Sequence, residues 1–274
     1  MEKILLAIDS TNIDPNALDF ACRLARLTRS KLNGILIEDP ATEEVMVNTP
    51  QEVYVESILK QYGYATENTI NTKEENIQLF KDKTEEAGVK AVLESNCNVT
   101  AACIVGKTRF ADTLIVNAAT SFAGFNENIP TPFVKEILHN AECPVIIAPE
   151  EFNGVDNVVF CYDGSKSSVF AIKQFTYLFP EFNDRRAKVI YLGSDEFLEE
   201  DKVAILDWLS YHYYDAEFIA VEGDAIEAFF QYLVQKKNDF VVMGAYGKGL
   251  LTSFFNSQGN QPATTNVPVF VSHY

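Results

Sequence analysis

Residues 3–10 read KILLAIDS and residues 157–165 read NVVFCYDGS. Both are short apolar runs that end in an aspartate, Asp9 and Asp163, 154 positions apart. Four further echoes keep the same order along the chain. KLNGILIED (31–39) is matched by AKVIYLGSD (187–195), and VKAVLE (89–94) by EFIAVE (217–222). ADTLIVNAAT (111–120) is matched by NDFVVMGAYG (238–247), and CPVIIAPE (143–150) by VPVFVSHY (267–274). The offset is 154 for the first pair and 128, 127 and 124 for the last three. It falls mostly in one step, between the second and third strands. The pattern predicts one unit written twice, over 1–150 and 151–274, with an insertion at about 40–72 in the first copy.

The runs are continuous rather than alternating, which suits parallel strands covered on both faces. Helical patterns lie between them. Asp14-Pro15 opens the first, with Asp as N-cap and Pro at the first helical position, and Ala17, Leu18, Ala21, Cys22, Leu24 and Ala25 recur at helical spacing. Asp224-Ala225-Ile226-Glu227 reads as a capping-box variant. Lys202–Tyr211 reads as another helix, Ala65–Thr72 as loop, and Thr72–Ala87 as the helix before the third strand. Strands alternating with helices imply an α/β fold with a doubly wound parallel sheet, five strands to each copy and right-handed crossovers.

The chain has 274 residues, 22 Lys+Arg against 39 Asp+Glu, and a formal charge of −17. The acidity is shared, −9 in residues 1–150 and −8 in the rest. Binding to nucleic acid or anionic membrane runs on cationic contacts to phosphate, so neither partner is expected. No stretch approaches the ~20 apolar residues of a membrane helix, and the apolar run at Ile4–Ile8 is too short for a secretory leader. The five cysteines, Cys22, Cys97, Cys103, Cys143 and Cys161, are odd in number and lack CxxC spacing. Neither a disulfide framework nor a thiolate zinc site is expected, and the chain reads as cytoplasmic. The three histidines, His139, His212 and His273, are far apart, so no metal centre or catalytic triad is expected.

In a doubly wound sheet, ligands bind beyond the carboxyl ends of the strands where strand order reverses. Three features of the second copy fall there. Asp163, followed by Gly164 and Ser165, offers a strand-end carboxylate for an amino or hydroxyl group, or else caps a helix. Gly223, within Val221-Glu222-Gly223-Asp224, permits a tight turn or close backbone approach. Gly244-Ala245-Tyr246-Gly247-Lys248-Gly249 exposes backbone N–H groups that suit a phosphate, with Lys248 as a point charge. In the first copy Glu38 and Asp39 stand at the end of the second strand, either facing Asp9 or solvated.

On VVFCYDGSKSSVFAIKQF (158–175), VEGDAIEAFF (221–230), DFVVMGAYGKG (239–249), ECPVIIAPE (142–150) and NVPVFVSHY (266–274), the sequence resembles the universal stress protein family in its tandem two-domain form. The resemblance covers essentially the whole chain. It implies two α/β domains of the adenine nucleotide hydrolase-like type, paired as a pseudo-dimer through their last strands, around Val145–Ala148 and Val269–Ser272. It also implies a stress-response protein, not an enzyme, that takes ATP or AMP with Mg²⁺. The alternatives are an interaction scaffold with vestigial sites and a slow ATP hydrolase. Family members that bind nucleotide carry G-x2-G-x9-G-[ST] after the fourth strand. Gly244 and Gly247 match its first two glycines, whereas Ser257-Gln258 stands where Gly-Ser/Thr belongs. By resemblance the cofactor-binding residues are Asp163, Gly223, Gly244, Gly247, Lys248, Gly249 and Ser257. The NSQGNQPATTN stretch lacks helical periodicity, so the family's last helix reads as replaced by loop. In the first copy Asn117-Ala118-Ala119-Thr120 replaces Gly-x-x-Gly, which removes the phosphate loop there. Expected partners are an adenine nucleotide and stress-related proteins. The expected state is a monomer or a homodimer, with Tyr54, Ile58, Tyr62 and Tyr64 of the insertion as an apolar patch.

Overall fold

The computed structural model describes residues 1–38, 67–98, 100–122, 127–193, 197–220, 229, 233, 238–245 and 266–272. In chain order the elements are β1 (Lys3–Asp9), α1 (Pro15–Thr28), β2 (Lys31–Glu38), α2 (Glu67–Glu86), β3 (Ala91–Asn98), α3 (Ala101–Thr108), β4 (Thr113–Val116), α4 (Pro132–Asn140) and β5 (Val145–Ile147). They continue with β6 (Asn157–Tyr162), α5 (Lys166–Leu178), β7 (Arg186–Tyr191), α6 (Glu199–Ser210), β8 (Asp215–Ala220), β9 (Asp239–Gly244) and β10 (Val269–Ser272). Phe229 and Leu233 are helical.

The strands form one ten-stranded sheet in the order β3-β2-β1-β4-β5-β10-β9-β6-β7-β8. Every neighbouring pair is parallel except β5 with β10, which run antiparallel with Ile146 opposite Phe270. The order therefore reads 3-2-1-4-5 and then the same series reversed. This is the tandem pseudo-dimer, with its seam on the last strand of each half. One finding revises the repeat. Ala91 pairs with Leu32, and Ala216 with Leu32's counterpart Ala187, so the third strands correspond at an offset of 125. Short apolar runs matched by residue type alone do not fix register, and the match at 128 is three residues out.

Alternate residues along each strand feed opposite faces. Ile4, Leu6 and Ile8 join a core with Leu18 and Phe20 of α1, Phe80 of α2, Phe175 of α5 and Leu209 of α6. Leu5 and Ala7 join a second core with Ile104 of α3, Ile137 of α4, Phe229 and Leu233. The result is three layers, helix–sheet–helix, in which each core runs across both halves.

Helix boundaries follow their caps. The Asp14 side chain accepts from the Asn16 N–H, Pro15 opens α1, and Arg29 ends it in the left-handed region at φ 55°. Ser165 caps α5 through the Ser168 N–H. Helix α6 starts at Glu199, with Glu199, Glu200 and Asp201 in its first turn, where acidic side chains favour the helix dipole. Helix α2 begins at Glu67, so 67–72 are helical and not loop; Thr69-Ile70-Asn71 carry weak helix propensity, which the longer run overrides. Residues 39–66 of the insertion, with the tyrosine patch, lie outside the described residues. The Asp224 capping box and residues 246–265, which hold most of the NSQGNQPATTN stretch, lie outside them as well.

The cysteines give a second correction. Cys22, Cys143 and Cys161 are free and buried, but Cys97 and Cys103 form a disulfide. Six positions apart, they look unrelated in sequence. The turn from β3 into α3 brings their Cα atoms to 5.8 Å, within the usual bridging range.

Candidate functional site

Asp163 follows β6, the strand whose two neighbours β7 and β9 lead in opposite directions. It is only 1% exposed. Its Oδ1 accepts from the Ser165 N–H at 3.0 Å. Its Oδ2 is buried and has no hydrogen-bond partner. The helix cap is Ser165, so Asp163 holds the turn with one oxygen and leaves the other free for a donor. Gly164, at φ 81°, supplies the left-handed residue that the turn needs. The nearby charge of Asp163 adds to burial in pushing the Cys161 thiol well above its ordinary range. Beside it, burial and a 3.0 Å hydrogen bond to Asp201 push the Tyr162 phenol up to about 12.

Gly244 ends β9, and its backbone lies against the start of α5. A Cβ there would sit 2.7 Å from the backbone C and O of Ser167. Its lack of a side chain thus serves helix–strand packing. Gly223, Gly247, Lys248, Gly249 and Ser257 lie outside the described residues, as does Asp39.

The first half is arranged differently at the same topological position. Asp9 accepts from the Thr11 N–H and hydroxyl, each at 2.8 Å. Asn117 stands at the position of Gly244. Its amide donates to Asp14, and its Oδ1 accepts from the Ala119 N–H at 2.7 Å. Asp14 thus caps α1 with one oxygen and holds Asn117 with the other. A cavity of about 100 Å³ remains, lined by Asp9, Asn12, Asp14, Asn117, Thr120 and Ser121 among others. Drug-sized ligands occupy roughly 300–1,000 Å³, so this space suits a few waters. Glu38 is tied to Lys73 of α2 at 2.8 Å. Sequence reading missed the Asn117–Asp14 bond. Its signal, an amide where the second half has glycine, is visible only once the two halves are aligned.

No family model matches the sequence, and no curated protein matches it. Solved structures do. A universal stress protein from Archaeoglobus fulgidus DSM 4304 superposes with a TM-score of 0.64 at 15% identity, over 99% of this chain and 96% of that one. The chain has the universal stress protein fold. A candidate universal stress protein from Pseudomonas aeruginosa UCBPP-PA14 gives a TM-score of 0.56 at 12% identity, over 100% of this chain and 93% of its own. A functionally unknown protein from Pseudomonas aeruginosa PAO1 gives 0.53 at 12%, over 100% and 92%. Within the universal stress protein fold, the two strand-end aspartates of this chain occupy equivalent places with unequal surroundings. The Oδ1 of Asp9 is held by Thr11 of its own loop, while Asp163 keeps a buried oxygen without a partner. Among the described residues no helix is long and apolar enough to cross a membrane, and no group of three or more His, Cys, Asp or Glu could hold a metal ion.

Proposed function

We propose that the chain is a non-enzymatic stress-response protein of the cytoplasm that binds an adenine nucleotide, ATP or AMP, at the switch point of its second half. The observation that carries this reading is the buried, unpaired Oδ2 of Asp163. A buried acceptor without a donor costs on the order of 1–3 kcal/mol, and an amino or hydroxyl group of a nucleoside would supply the donor. A carboxylate repels phosphate, so Asp163 fits the nucleoside end of the ligand, and Mg²⁺ would offset charge at the phosphate end. Calorimetry on nucleotide-free full-length protein with ATP, ADP and AMP, each with Mg²⁺, tests the reading. Heat of binding is expected, weakened at least about tenfold by Asp163→Ala, which corresponds to about 1.4 kcal/mol. No heat at millimolar nucleotide would sink it. Steady phosphate release abolished by Asp163→Asn would replace it with a hydrolase.

A second reading, an interaction scaffold for stress-related proteins with vestigial sites, draws on the first half, where Asn117 and Asp14 bond to each other in the cleft. It predicts silence toward all three nucleotides in the same calorimeter.

A further inference from the structure

The Cys97–Cys103 bridge has no counterpart in the second half, where residues 215–237 contain no cysteine. It joins the end of β3 to the first turn of α3. Cys97 is buried beside Ala101 and Ile104, while Cys103 is partly exposed. The other three cysteines are buried. Desolvation pushes the Cys22 and Cys143 thiols up to about 11 and about 12, and Cys161 higher still, so they stay protonated and inert near neutral pH. The pair is therefore a short-range couple with one sulfur near solvent and one behind it. Helix α3 has only eight residues, a length that does not hold a helix on its own.

We propose that Cys97 and Cys103 are a reversible thiol-oxidation site that takes small-molecule disulfides, and that its state sets how firmly α3 is anchored to β3. The Cys103 thiolate attacks one sulfur of the small disulfide and displaces a thiolate, giving a mixed disulfide. The Cys97 thiolate then attacks the Cys103 Sγ and displaces the second thiolate. Two protein thiols are oxidised, one disulfide is reduced, and the two protons leave with the two small thiols. Disulfides in a reducing compartment are usually transient and redox-sensing, which suits a couple of this kind. The proposal is independent of nucleotide binding.

The test equilibrates the full chain in graded mixtures of reduced and oxidised glutathione, quenches with acid and labels thiols with a maleimide polymer in denaturant. The expected result is five reactive thiols at the reducing end and three at the oxidising end, with circular dichroism unchanged. Cys103→Ser is expected to abolish the transition and leave four thiols throughout. Hydrogen exchange of residues 101–108 is expected to quicken at least about tenfold on reduction, and in Cys97→Ser/Cys103→Ser as well. Five thiols at every ratio, pairing through Cys22, Cys143 or Cys161, or reduction only after unfolding would each overturn the site. Exchange unchanged between the two states would overturn the anchoring.

Discussion

Position 244 holds glycine and its counterpart 117 holds asparagine, and helix placement accounts for both. In the second half α5 begins two residues after Gly164, which presses Ser167 against the end of β9. In the first half five residues separate Asp9 from Pro15, and a side chain fits in the gap. Gly244→Ala should therefore strain the backbone contact and cost about 1–3 kcal/mol, read as a lower urea midpoint at constant slope. An unchanged midpoint would mean that α5 retreats freely. The first glycine of the motif answers a packing demand, and the ligand contact proposed above falls to the carboxylate of Asp163.

At the level of elements, α1 depends on one side chain with two tasks. Asp14 caps the helix and accepts the Asn117 amide. Asp14→Ala should cost about 1–2 kcal/mol, whereas Asp14→Asn should keep most of the cap; paired denaturation curves would separate the two. Most elements were legible because their signals are local. Asp14-Pro15 announces a helix start, and runs such as Val158–Tyr162 announce buried strands. What escaped depends on three-dimensional geometry that residue types alone do not announce. The β3 register depends on partners in β2. The disulfide depends on how sharply a strand turns into a helix. The free oxygen of Asp163 depends on a neighbouring serine taking over the capping role.

Across the whole molecule, the seam at β5 and β10 joins both halves into one sheet with shared cores. Phe20 of the first half meets Phe240 of the second edge to face, with centroids 6.4 Å apart. Phe270, on the seam, is fully buried against Phe175 and Phe179. The two halves should therefore unfold together. Far-ultraviolet dichroism and the fluorescence of Trp208, the single tryptophan, should report one coincident transition. Phe270→Ala should lower its free energy by about 3–5 kcal/mol. A biphasic curve would show that each half stands alone.

Because β5 and β10 run in opposite directions, all strands of one half point against those of the other. Asp9 and Asp163 thus open toward opposite ends of the sheet. One occupant cannot bridge them, and neither cleft can screen or crowd the other. A molecule built this way carries a spare. One copy holds an asparagine where the other has a glycine, and a change that ruins one end need not be felt at the other.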